Sequence, residues 1–170
     1  LNHLSLAYQQ LGQWQQAQNA IAQSINLLKN IQELDAKGTA ILAQALNTRG
    51  KMELAQGNTE AAFATWQQAE AAYTRADNEN GKLGSRINQA LALQSLGQYR
   101  RAKNLLEQIN AQLQNQPDTL LKADSLRSLA FTLQTIGDLV KAKEILEQSW
   151  DISDKLNSPA DSSATLFSLG

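Results

Sequence analysis

The sequence predicts an all-α chain built as a tandem array of helix pairs, four complete and the start of a fifth. One phrase recurs: Leu11-Gly12-Gln13-Trp14-Gln15-Gln16-Ala17, Gln56-Gly57-Asn58-Thr59-Glu60-Ala61-Ala62, Leu96-Gly97-Gln98-Tyr99-Arg100-Arg101-Ala102 and Ile136-Gly137-Asp138-Leu139-Val140-Lys141-Ala142. Its glycines are spaced 45, 40 and 40 residues apart, a period that marks stacked supersecondary units. Composition agrees: Ala, Leu and Gln are abundant, Val is nearly absent, and the 2 prolines both lie between helical patterns. Apolar and small residues also recur at helical spacing, as in Ala17, Ile21, Ser24 and Leu28.

Taken in order, residues 1–11 are a helix end with Leu1, Leu4 and Tyr8 on one face, closed by Gly12, which enters the left-handed region without steric cost. A second helix is expected from Gln13 to Leu34, antiparallel to the first because the link is so short. After a break at Asp35–Gly38, Thr39 would cap a helix from Ala40 to Gln56. Gly57-Asn58 turns the chain, and a helix from Thr59, an N-cap candidate, to Ala76 carries Ala62, Trp66, Ala69 and Tyr73 on one face. A polar loop, Asp77–Gly81, precedes the helix Lys82–Leu96. Helix Gln98–Asn115 then turns Ala102, Leu106, Ile109 and Leu113 inward. Asp118 is the expected cap of helix Thr119–Ile136, and helix Leu139–Leu156 completes the fourth pair. In Ser158-Pro159-Ala160-Asp161, an N-cap serine precedes proline at the first helical position, so a ninth helix starts. The expected repeats span 1–35, 39–77, 81–115, 118–156 and, in part, 158–170 of one array. Its abrupt ends read as those of a fragment, and apolar residues there (Leu1, Leu4, Leu166, Phe167, Leu169) lead us to expect end-to-end self-association.

Charge and composition speak against several classes of chemistry. Formal net charge is -1, and the densest basic spot, Arg100-Arg101-Lys103, reads as one solvated helical turn, so no nucleic-acid partner is expected. There are no cysteines, hence no disulfide, thiolate metal site or cysteine nucleophile, which fits a cytoplasmic location. No apolar run approaches a membrane span, and no membrane association is expected. His3 is the only histidine and lies at the frayed start, away from any base or orienting group. Gly81-Lys82-Leu83-Gly84-Ser85 lacks the phosphate-loop pattern and reads as a link between helices. Asp151, Asp154 and Asp161 are helix-end charges without metal-ligand density. No catalytic residue, cofactor or metal is expected, so the chain is read as not an enzyme. Trp14 and Trp66 fit core positions, and Trp150 lies one residue off the buried stripe.

The repeated residues resemble the tetratricopeptide repeat, W-x2-L-G-x2-Y followed by Gly, an aromatic and a small residue. Leu166-x-x-Leu169-Gly170, Leu126-x-x-Leu129-Ala130-x-x-Leu133 and Leu1-x-x-Leu4-Ser5-x-x-Tyr8 carry the opening half. Leu46-x-x-Arg49-Gly50-x-x-Glu53 and Arg86-x-x-Gln89-Ala90-x-x-Leu93 are degraded versions. Arg49 and Glu53, four apart, could pair in place of the usual apolar residues. The second half is kept in all four repeats. The period of about 40 residues is similar to the longer subgroup found in kinesin light chains, polarity adaptors and the bacterial arrays that precede CHAT protease-like domains, and the Gln-rich wording looks most like the last.

The resemblance implies a right-handed α-α superhelix whose concave groove is lined by the first helix of each repeat. Groove positions carried over are Asn2, Leu6 and Gln9; Gln44, Asn47, Lys51 and Leu54; Ile87, Leu91 and Gln94; and Asp124, Arg127, Phe131 and Gln134. Asn88 stands where some members bind a peptide backbone or terminal carboxylate, but the rest of that clamp is missing. The implied function is a scaffold that holds a protein or peptide segment through Asn47, Lys51, Asn88 and Arg127, with apolar contact from Leu91 and Phe131. The alternative is a regulatory segment of a larger signalling or CHAT-type protein.

Overall fold

The computed structural model describes residues 1–158, and the expected partial fifth repeat lies outside them. Eight α-helices follow one another: α1 Asn2–Gln10, α2 Trp14–Lys29, α3 Ala36–Ala55, α4 Thr59–Arg75, α5 Glu79–Ser95, α6 Tyr99–Leu113, α7 Leu120–Thr135 and α8 Leu139–Lys155. The chain divides into two compact units, Leu1–Ala92 and Leu93–Gly170. In the first, α1 packs on α2, α2 on α3 and α3 on α4; in the second, α6 packs on α7 and α7 on α8.

The repeated glycine closes each first helix in the same way. Gly12, Gly57, Gly97 and Gly137 have φ between 70 and 90. The residue after each donates its N–H five residues back, as from Gln13 to the Tyr8 carbonyl (2.8 Å) and from Asp138 to the Leu133 carbonyl (2.9 Å). This is the left-handed helix end of the Schellman type, which satisfies carbonyls that would otherwise be orphaned.

Several helix starts differ from expectation because a neighbouring side chain caps more effectively. Asp35, not Thr39, caps α3: its carboxylate accepts the Gly38 N–H at 2.6 Å, so the helix begins at Ala36 and Thr39 is buried within it. The preceding helix accordingly ends at Lys29 rather than Leu34. Asn78 Oδ1 accepts the Gly81 N–H at 2.8 Å, so α5 begins at Glu79 and the expected long polar loop, together with the Gly81–Ser85 link, is largely helix. Thr119 caps α7 through the Lys122 N–H, while Asp118 receives the Lys122 ammonium instead. Thr59 is the first residue of α4, and Asn58 holds the cap position without a side-chain cap bond.

The core follows the predicted stripes. Ala17, Ala62, Ala102 and Ala142 are fully buried one turn into each second helix, and Ile21, Trp66, Leu106 and Leu146 are buried four residues on. The matching small positions of the first helices, Ser5, Gly50, Ala90 and Ala130, are buried too. Trp14 departs from its expected core position: it is 49% exposed. As the first residue of α2 its side chain leans past the helix end, since Cα–Cβ bonds tilt toward the N-terminus.

Trp66, wholly buried, lies against Gly50, where an added Cβ would sit 2.5 Å from its Nε1. Its indole N–H donates to the Asn47 carbonyl at 3.2 Å, as a buried donor requires. Gly50 therefore makes room for the largest side chain of the core, whereas the corresponding α7 and α8 positions hold Ala130 and Leu146. Gly50→Ala is expected to destabilise the chain by about 1–3 kcal/mol through overpacking. Combining it with Trp66→Leu, which recreates the Ala–Leu pairing, should recover part of that loss; strict additivity in urea denaturation would refute the pairing.

Tyr73 is buried at the C-terminal end of α4, and desolvation raises its hydroxyl above the ordinary value of 10.0. Stability from this residue is therefore whole below pH 10.0. It falls at higher pH, where the unfolded chain ionises and the folded one holds its proton, until the folded hydroxyl also ionises. Tyr73→Phe should flatten the alkaline limb of a denaturation series; equal limbs in the two proteins would assign that limb elsewhere.

Candidate functional site

A helix buried on its core side keeps one stripe in water, and here that stripe has a repeated composition. Leu6, Lys51, Leu91 and Phe131 occupy one equivalent position in α1, α3, α5 and α7, each one residue past the buried small position. All four are exposed, including three large apolar side chains: Leu6 at 46%, Leu91 at 41% and Phe131 at 52%.

In the first unit, Asn88 of α5 donates its amide to Asn47 Oδ1 of α3 at 2.8 Å. The Asn47 backbone carbonyl is held by Trp66, so the pair is anchored from beneath. Lys51 lies one turn beyond Asn47 and Leu91 one turn beyond Asn88. The unit therefore brings an amide pair, a cation and an apolar side chain onto two neighbouring helices. In the second unit, Arg127 pairs with Asp124 on its own helix, and Phe131 follows Arg127 by four residues on the same face.

Not every carried-over groove position is open. Ile87 is buried. Gln94 turns into α7, where its amide donates to Thr132 Oγ1 (2.7 Å) and the Ser128 carbonyl (3.0 Å). Asn2 Oδ1 accepts the Ser24 hydroxyl at 2.7 Å. These three side chains hold helices together.

The degraded repeats acquire a physical reason. Arg49 Nε donates to Glu53 Oε1 at 2.7 Å, forming the i, i+4 pair that replaces the apolar signature. In α5, buried Gln89 donates to Glu70 Oε2 of α4 at 2.6 Å, and Arg86 Nε lies 3.8 Å from Glu70 Oε1. Glu70 escapes a reading of repeat signatures because it lies outside the phrase and acts across helices.

Each unit also has an open cleft on its second-helix side. One of about 520 Å³ is floored by Leu42 and Leu46 and walled by α4. One of about 630 Å³ has Leu126 and Leu129 on its floor, with α6 and α8 as walls. At the rim of the larger, Lys141 pairs with Glu107 and Lys155 with Asp118. Among the described residues there is no cluster of metal-ligating side chains, and no helix is long and apolar enough to cross a membrane.

Solved structures share this arrangement. BtubC (BKLC) from P. vanneervenii superposes with a TM-score of 0.80 at 17% identity, over 98% of this chain and 67% of that one. The TPR-like repeats of a Podosopora anserina chain described as a kinesin light chain superpose with a TM-score of 0.59 at 21% identity, over 91% of this chain and 94% of that one. A point-substituted form of those repeats gives 0.60 at 21% identity, over 92% and 94%. This chain has the tetratricopeptide-repeat fold. No protein-family profile and no curated protein sequence matches it. The tetratricopeptide fold is an all-α helical repeat, and such repeats are in general scaffolds that present surfaces for protein contacts.

Glu70→Ala should destabilise this tetratricopeptide fold by about 1–3 kcal/mol, because Gln89 loses an acceptor in a buried place. Glu70→Gln, which retains an acceptor oxygen, should cost less. Equal losses in thermal or urea denaturation would show that Glu70 contributes packing alone.

Proposed function

We propose that this chain is a non-enzymatic protein-interaction scaffold of the cytoplasm. Its first-helix faces take an extended or helical segment of another protein. The observation that carries the reading is a repeated exposure, Leu6, Lys51 and Leu91 in the first unit and Phe131 in the second: at one equivalent position of four helices, large apolar side chains and a lysine are kept in water. Exposed apolar side chains ringed by polar groups are the composition from which binding anchors are made.

The polar groups have distinct parts in this proposal. The Asn47–Asn88 pair, anchored through Trp66, offers amide groups to a partner's backbone at little cost in ordering. Lys51 and Arg127 supply cations, and Arg127 is braced by Asp124. Leu91 and Phe131 bury apolar surface against the partner.

The test is retention of partners from the source lysate by the wild type, by Lys51→Ala/Leu91→Ala and by Arg127→Ala/Phe131→Ala, with folding checked by circular dichroism. A partner bound by the wild type should be lost or weakened about tenfold in each variant, as expected when an anchor side chain is truncated. The same set of proteins retained by all three would overturn the reading.

A further inference from the structure

The turn edge of the second unit has a character of its own. Gly97, Gln98, Tyr99, Arg100, Arg101 and Ile136 line one cleft of about 560 Å³, where the turn between α5 and α6 lies beside the C-terminal end of α7. Ile136 is 43% exposed, and past the next turn Leu139 and Val140 stand 64% and 75% in water. Three apolar side chains in a five-residue stretch are thus left uncovered beside a cleft.

The charges at the start of α6 run against helix stability. The first turns of α6 and α8 contain no acid. The start of α8 is served by the Asp138 carboxylate at its cap, which accepts the Lys141 N–H, whereas α6 has Gln98 at its cap and carries Arg100 and Arg101 beside its positive end, where an anion is favoured. In the first unit, by contrast, α4 opens with Glu60. Internal pairing leaves much of this positive charge in place. Lys103 and Lys141 share the single carboxylate of Glu107, each at 3.4 Å, and Lys143 reaches Glu147 at 3.9 Å. Arg101 reaches only the neutral side chain of Gln98. Among the described residues neither Arg100 nor Arg101 forms an ion pair, in a chain whose net charge is -1.

We propose that this edge is a second docking surface, separate from the first-helix faces, whose occupant is an acidic peptide segment of a partner protein bearing apolar side chains. The segment's carboxylates would meet Arg100 and Arg101, and its apolar side chain would enter the cleft between Tyr99 and Ile136. Both the uncompensated cations and the uncovered Ile136, Leu139 and Val140 are then accounted for by one ligand. The three lysines nearby are each engaged by a carboxylate, which leaves two unpaired arginines beside the cleft; that suits a peptide better than an anionic bilayer, which polybasic clusters of about four to eight cations recognise.

The probe is a short fluorescein-labelled peptide in which Glu and Asp flank a central Phe-Leu pair, with a Lys-substituted peptide as control, read by fluorescence anisotropy on the whole chain. The acidic peptide should bind the wild type, more weakly at high salt, and the control should not. Arg100→Glu/Arg101→Glu and Leu139→Ser/Val140→Ser should each weaken binding about tenfold or more, whereas Lys51→Ala/Phe131→Ala should leave it unchanged. Leu139 and Val140 are exposed and the two arginines lie on the outer face of α6, so folding should survive their replacement. The proposal is overturned if the acidic peptide does not bind, if charge reversal has no effect, or if the first-helix variant loses binding equally. Co-sedimentation with phosphatidylserine vesicles in place of peptide binding would also overturn it and assign the edge to membranes.

Discussion

How closely two helices of a pair can approach governs the whole fold. Ala17, Ala62 and Ala142 on the second helices, and Ser5, Gly50 and Ala130 on the first, are the places where a larger side chain would hold the helices apart. Close-packed interiors conserve volume locally, so a gain on one helix must be matched by a loss on its partner. The α3–α4 pair takes this trade furthest, with no side chain at Gly50 and an indole at Trp66. The same indole then fixes the Asn47 backbone, so a packing decision in the core also sets the geometry of an exposed amide pair.

Polar contacts between pairs come second to this constraint and are more individual. Where α2 meets α3 the contact is apolar, through Ile25, Leu42 and Leu46. Where α4 meets α5 it is Glu70 with Gln89 and Arg86. Buried polar contacts of this sort add little net stability when satisfied and cost much when broken. They leave the first-helix stripe free to vary, so that Lys51 can stand where other repeats have Leu or Phe without disturbing what lies beneath.

The parts of this structure legible in the sequence are those that depend on local geometry. The turn glycines announce themselves because the left-handed helix end admits few other residues, and the stripes beginning at Ala17, Ala62, Ala102 and Ala142 follow from helical periodicity alone. Helix starts are less legible, since Asp35 and Thr39, or Asp118 and Thr119, offer competing caps a few residues apart and tertiary packing decides between them. Trp14 reads as core by its position in the repeated phrase, yet its place at the very start of α2 puts it in water. Among the surface residues, the exposure of Lys51, Leu91 and Phe131 follows from their place next to a buried small residue. The inward turn of Gln94 and Asn2 does not, because their partners, Thr132 and Ser24, lie on other helices.

The junction at Glu70 has a further consequence for how such an array could grow. Copying a helix pair within the gene would place the residues of α5 against a different predecessor. The positions corresponding to Glu70 in α2, α6 and α8 are Ile25, Asn110 and Trp150, none of them a carboxylate. A transplanted Arg86 and Gln89 would meet a methyl group, an amide or an indole where they now meet an anion. Duplication here would have to carry α4 and α5 together, so the heritable module is the pair that straddles the junction rather than the pair joined by the glycine turn.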